Sequence, residues 1–118
     1  MTLQELVGQY TVIGNNQDAE SNSYKGKLFL SLDINNRIVA KWLINNQQEQ
    51  FGYGFFKENI LVLNFKYTIR NNIYKGVIIY KCISKDILEG FWTEEHGDPK
   101  FIGEERCFRI NNRKEVIN

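Results

Sequence analysis

Proline is almost missing from this chain: Pro99 is the only one among 118 residues. No Pro-rich linker divides the sequence, and strand-like runs go uninterrupted. Histidine is as scarce, with His96 alone, which leaves little for a His-based catalytic or metal site. An excess of charge of one sign is also lacking, because 15 Lys and Arg face 14 Asp and Glu for a formal net charge of +1. No global field therefore draws the protein to nucleic acid or to an anionic membrane. Long apolar runs are absent too. No segment approaches the roughly 20 apolar residues of a membrane-spanning helix, and Met1 to Val7 lacks the basic start and apolar run of a signal peptide. The expectation is a soluble, cytoplasmic protein with neither nucleic-acid nor membrane partners. There is no phosphate-cradling glycine loop, nucleophile elbow or HExxH motif, so no enzyme activity, cofactor or metal is expected.

The two cysteines, Cys82 and Cys107, form no CxxC pair. They fall on strand-like runs separated by the run containing Trp92, which puts them ~9 to 10 Å apart. A disulfide needs Cα atoms within roughly 7 Å, so two reduced, buried thiols are predicted.

What the chain has is aromatic and β-branched sequence broken at short intervals by asparagine. Aromatics make up 14% and hydrophobic residues 42%, which favours a β protein with its own core over disorder or a helical bundle. Residues 1–118 read as one domain with a core over about 8–110 and a polar tail over 111–118. Thr2 as N-cap, with Glu5 three residues on, suggests one helical turn over Leu3 to Val7. Eight strand-like runs follow, at 8–14, 24–33, 37–44, 49–57, 60–70, 74–83, 87–93 and 100–110. Most of the breaks carry Asn, which tolerates positive φ. The 15–23 connection is the longest polar one, suited to a flap over a mouth.

Successive strands with short turns form an antiparallel meander, and pairing the first with the last removes both open edges. The fold class is all-β: a single eight-stranded, antiparallel up-and-down β-barrel with a short N-terminal helical turn. Eight strands enclose a space that side chains just fill, or that holds one small ligand. Alternation places Tyr10, Val12, Tyr24, Leu28, Leu30, Ile38, Trp42, Leu61, Leu63, Phe65, Ile78, Tyr80, Cys82, Leu88, Trp92, Glu105 and Cys107 inside, with glycines interspersed. Strand four gives conflicting parity, since Gly52 and Gly54 alternate with Phe51, Tyr53 and Phe55.

A carboxylate inside a barrel needs partners. Two arrangements supply them: Glu105 and a tyrosine satisfy each other at the closed end of a filled barrel, or Glu105 orients a guest between aromatic walls. On the second, the ligand-binding residues are Tyr10, Tyr24, Trp42, Tyr80, Trp92 and Glu105. Gly8-x-Tyr10, Tyr24-x-Gly26, Trp42, Gly52-x-Gly54, Leu88-x-Gly90-x-Trp92 and Gly103-x-Glu105 together resemble the pattern of small bacterial lipocalin-like or avidin-like barrels. That resemblance, spanning about 8–109, implies a calycin-type barrel with a pocket at one mouth for a small apolar or aromatic molecule.

Outside, Val62, Val77, Ile79 and Phe91 form an apolar stripe, the mark of a contact surface. It predicts a symmetric homodimer, the alternative being a monomer whose terminal segment covers the stripe. Two competing uses of the surface are a protein-protein module with a filled core, and a stacking platform built from Phe51, Tyr53 and Phe55. Glu94-Glu95-His96 with Asp98 offers acids and an imidazole, but in an arrangement that reads as a polar loop.

Overall fold

The computed structural model describes residues 1–111 and forms a closed barrel of eight antiparallel strands in sequence order. A helical turn, α1 (Leu3–Leu6), precedes β1 (Gly8–Asn15), β2 (Ser23–Leu32), β3 (Ile38–Ile44) and β4 (Gln48–Lys57). Then come β5 (Ile60–Ile69), β6 (Asn72–Ser84), β7 (Ile87–Glu94) and β8 (Gly103–Arg109). Closure is made by β1 on β8, with Tyr10 opposite Arg109, Val12 opposite Cys107 and Gly14 opposite Glu105. The tail expected over 111–118 lies, after Asn111, outside the described residues.

Asparagine does much of the turning. Asn36, Asn45, Asn46, Asn59 and Asn71 all take positive φ, the conformation that tight hairpins demand and Asn accepts. Two expected boundaries move. The β5–β6 turn falls on Arg70-Asn71, because Asn72 already pairs with Ile69; its left-handed residues are therefore an Arg and an Asn rather than two asparagines. Strand β8 begins at Gly103 instead of Lys100. The intervening backbone is committed elsewhere: Phe101 N–H donates to Asp98 O at 3.0 Å, and Lys100 N–H to Asp98 Oδ1 at 3.0 Å.

The inward set expected from alternation is the observed core. Of its seventeen members all are buried except Trp92, which is half-buried; Ala40 on β3 and Leu6 on α1 join them. On β4 the glycine parity faces in, together with Gln48, Gln50 and Phe56, while Phe51, Tyr53 and Phe55 are exposed. Cys82 and Cys107 are buried free thiols. Burial raises the Cys82 thiol to about 11, which keeps it protonated and unreactive at neutral pH.

The two mouths differ. At the end where β1 starts, α1 lies across the opening. A capping box fixes it: Glu5 N–H donates to Thr2 Oγ1 at 3.2 Å and Thr2 N–H to Glu5 Oε1 at 2.7 Å. Arg109 then joins helix, β1 and the β6–β7 turn. Its guanidinium donates to Glu5 O (2.6 Å), Val7 O (2.9 Å), Lys85 O (2.8 Å) and Asp86 Oδ1 (2.9 Å), and lies 4.8 Å over the Tyr10 ring. The Tyr10 hydroxyl accepts from Arg109 and bonds Leu6 O at 2.8 Å. This end is shut.

Candidate functional site

The other end holds Glu105. Strand register places it in a lateral row of five inward positions, Tyr24, Gly14, Glu105, Gly90 and Tyr80, drawn from β2, β1, β8, β7 and β6. The two glycines make the arrangement possible. A Cβ at Gly14 would collide with the Tyr24 ring, and one at Gly90 with the Tyr80 ring. With hydrogens there, each tyrosine folds across its glycine neighbour and reaches the carboxylate from opposite sides. Tyr24 Oη donates to Glu105 Oε1 at 2.8 Å, and Tyr80 Oη donates to Oε2. From across the barrel, Trp42 Nε1 donates to Tyr80 Oη at 3.1 Å, and Cys107 Sγ lies 3.7 Å from Glu105 Oε2.

Glu105 is thus a buried acid surrounded by neutral donors. Its burial pushes the pKa above the usual carboxylate range, while the hydrogen bonds from Tyr80 and Tyr24 pull the other way. Both tyrosines are pushed well above the ordinary phenol value by burial and by the adjacent carboxylate, so each hydroxyl stays a donor.

Above this row the barrel is hollow. A chamber of about 280 Å³ opens toward the end carrying the 16–22, 45–47, 70–71 and 95–102 connections. Glu105 is at its floor, with Tyr24, Trp42, Phe65, Tyr67 and Trp92 among its walls. The rings hold one another: Phe65 meets Trp42 and Trp92 edge-on, each at 6.1 Å between centroids, and stacks with Tyr67 at 6.5 Å. Around the rim, Gln50 Nε2 donates to Gln48 Oε1 (2.6 Å) and Tyr67 Oη to Glu94 Oε1 (2.6 Å). Among the described residues, Trp92 Nε1 is the buried side-chain polar atom with no hydrogen-bond partner.

The six residues singled out from sequence separate into three positions. Tyr24, Trp42, Trp92 and Glu105 line the chamber. Tyr80 stands behind it, fully buried, orienting Glu105. Tyr10 is at the opposite end, beneath α1 and Arg109, and does not touch the chamber. Sequence reasoning did not single out Gln48, Gln50 and Tyr67, and it read Glu94 as part of a polar loop, whereas Glu94 ends β7 and faces the chamber. Their signal was the parity itself, continued one step outward from Gly52, Phe65 and Trp92 to the strand ends.

The 16–22 connection is less free than a flap. Gln17 is buried and tethered: its Nε2 donates to Thr93 Oγ1, Asp98 O and Phe101 O, each at 3.0 Å, and its Oε1 accepts from Glu94 N–H at 2.9 Å. It binds this loop to the β7–β8 loop beside the mouth. In that second loop Glu95 and His96 are exposed and 3.7 Å apart, whereas Glu94 turns inward to Tyr67. Among the described residues no group of three or more His, Cys, Asp or Glu side chains is placed to hold a metal ion.

No protein-family model matches the chain, and no curated protein does. Solved structures do match in fold. A redesigned β-barrel, mFAP1, bound to DFHBI, superposes with a TM-score of 0.70 at 19% identity, over 91% of this chain and 97% of the other. A second, mFAP0, also bound to DFHBI, gives 0.67 at 19% identity, over 90% and 100%. A third, a de novo designed fluorescence-activating β-barrel, gives 0.65 at 12% identity, over 93% and 100%. The chain shares the closed eight-stranded barrel of these proteins.

Proposed function

We propose that this protein is a non-enzymatic, lipocalin-like binding barrel that encloses one small apolar or aromatic molecule in the chamber above Glu105. The observation that carries the reading is the chamber: five aromatic rings for area and one buried carboxyl to orient the guest, the combination expected of a small-molecule site. Two of the barrels that share this fold are described as bound to DFHBI, which supports the same use of the interior. A filled barrel leaves no such space, so the interaction-module alternative is the weaker reading. Lys25, Lys41, Lys66, Lys81, Glu89 and Arg106 are exposed around the outer wall, a surface suited to water and costly against lipid. That supports a protein whose outer wall faces water rather than lipid.

The test is native mass spectrometry of freshly purified protein, together with quenching of Trp42 and Trp92 fluorescence by small hydrophobic probes. A co-purified mass, or probe binding that Ile44→Trp at the mouth abolishes, supports the chamber. A bare mass with no probe binding overturns it.

A second observation favours a symmetric dimer. Phe55, Val62, Ile79 and Phe91 stand directly opposite one another across β4 to β7, and the two phenylalanines are 61% and 47% exposed. Such a row suits a self-complementary contact. Sedimentation of Phe55→Lys beside the parent protein tests it: a dimer that becomes a monomer supports the contact, and a parent monomeric at high micromolar concentration removes it.

A further inference from the structure

The chamber's charge has one sign. Two carboxyl groups face it, Glu105 at the floor and Glu94 at the rim, and no Lys, Arg or His lines it. Four acids on the outer wall and turns, by contrast, carry a cationic partner. Asp33 is paired with Arg37, Glu49 with Lys41, Glu89 with Arg106 and Asp86 with Arg109. Neither Glu94 nor Glu105 makes an ion pair among the described residues. Glu105 instead meets only the neutral donors of Tyr24, Tyr80 and Cys107.

Hydroxyl donors hold a buried carboxylate in place without neutralising it. A cation placed beside it favours the ionised form, because opposite charges interact strongly in a low-dielectric setting. The walls point the same way, because the faces of Trp and other aromatic rings attract cations. Phe65 gives its face or edge to Trp42, Tyr67 and Trp92, so the rings surround the space rather than forming a single plate.

We propose that the guest is a small aromatic cation, an aromatic amine or iminium-type ring nitrogen carrying positive charge, held between the chamber's rings with its charge directed at Glu105. This rests on the reading of the chamber as a binding site. It extends that reading from an apolar or aromatic guest to a charge class.

Protonation supplies an internal control. The groups facing Glu105 are Tyr24 from β2, Tyr80 from β6 and Cys107 from β8, and burial keeps all three protonated at neutral pH. Of this group Glu105 is therefore the one that gives up its proton first as pH rises, and a bound cation favours that loss. A guest with permanent charge binds more tightly as that proton is lost, and a neutral guest of the same shape does not.

The experiment uses three bicyclic probes titrated calorimetrically into the full-length protein: N-methylquinolinium, 1-methylnaphthalene and 1-naphthoate. The expected result is that the cation binds at least about tenfold more tightly than its neutral isostere at pH 7.5. Glu105→Gln should remove most of that preference, bringing the cation's affinity down toward that of the neutral probe. Equal affinities, or tighter binding of the neutral or anionic probe, overturn the charge assignment and leave the chamber standing. Binding of none of the three overturns both. Should Glu105→Gln fail to fold, Glu94→Gln at the rim gives a smaller loss of the same preference, and the pH dependence of cation binding by the parent protein decides independently.

Discussion

The barrel's two ends each enclose an ionisable side chain, and they handle it in opposite ways. At the shut end Arg109 is surrounded by three backbone carbonyls, the Tyr10 hydroxyl and the Asp86 carboxylate. Every partner is an acceptor and one is charged, so the cation is neutralised and its donors are used. At the open end Glu105 is surrounded by donors that carry no charge. Its hydrogen bonds are satisfied without a charged partner. The first arrangement fastens helix to barrel; the second leaves an ionisable carboxyl at the chamber floor. Burial of a polar group is thus no guide to its role until its partners are counted by charge as well as by hydrogen bonds.

The largest break in this comparison comes from Arg109→Ala, which orphans several acceptors at once. We expect a loss of about 3 kcal/mol in chemical denaturation, with probe binding in the distant chamber retained under conditions where the variant is folded. Loss of both together would show that the two ends are coupled. Gly14→Ala acts on the open end. Its new methyl collides with the Tyr24 ring, an overpacking worth about 2 kcal/mol. Because Tyr24 is then displaced from Glu105, probe affinity should fall as well, the reverse of the Arg109 outcome. Thr2→Ala removes the capping box on α1 and should cost about 1 kcal/mol in thermal or denaturant melts, with no effect on binding.

The finest distinction is in pH dependence. Glu105 has a folded-state pKa raised above its unfolded value, so the folded state holds its proton more tightly. Its contribution is fully present below the unfolded value and declines as pH rises through the folded one. Denaturation midpoints of the parent protein and Glu105→Gln, measured from acid to neutral pH, should converge or cross, with the Gln variant lacking that decline. Parallel curves would show that Glu105 ionises as readily in the folded protein as in the unfolded chain.

Particular residues show how far the sequence could be read. Period-two alternation from Tyr24 to Leu32 and from Ile60 to Tyr67 named the inward face of β2 and β5 without ambiguity, because one-residue slips would turn every apolar side chain to water. On β4 the same rule faltered. Glycines and aromatics alternate there, and only the neighbouring strands decide that Phe51, Tyr53 and Phe55 are left outside. Trp42, Trp92, Tyr24 and Glu105 were recognisable as interior polar or aromatic groups. Tyr10 looked equivalent to Tyr24 in sequence, yet the two hydroxyls lie at opposite ends of the cylinder. Alternation reports which face a residue occupies and says nothing of its height along the axis relative to residues on other strands.

The sequence by itself determined the eight strands and, outside β4, most of the inward face, because alternation and turn chemistry are local properties of the chain. Tertiary structure alone decided the row from Tyr24 through Gly14, Glu105 and Gly90 to Tyr80. Those five residues come from five strands, and the inter-strand register is what sets them side by side. The same register decided which enclosed ion received a charged partner and which was left facing the chamber.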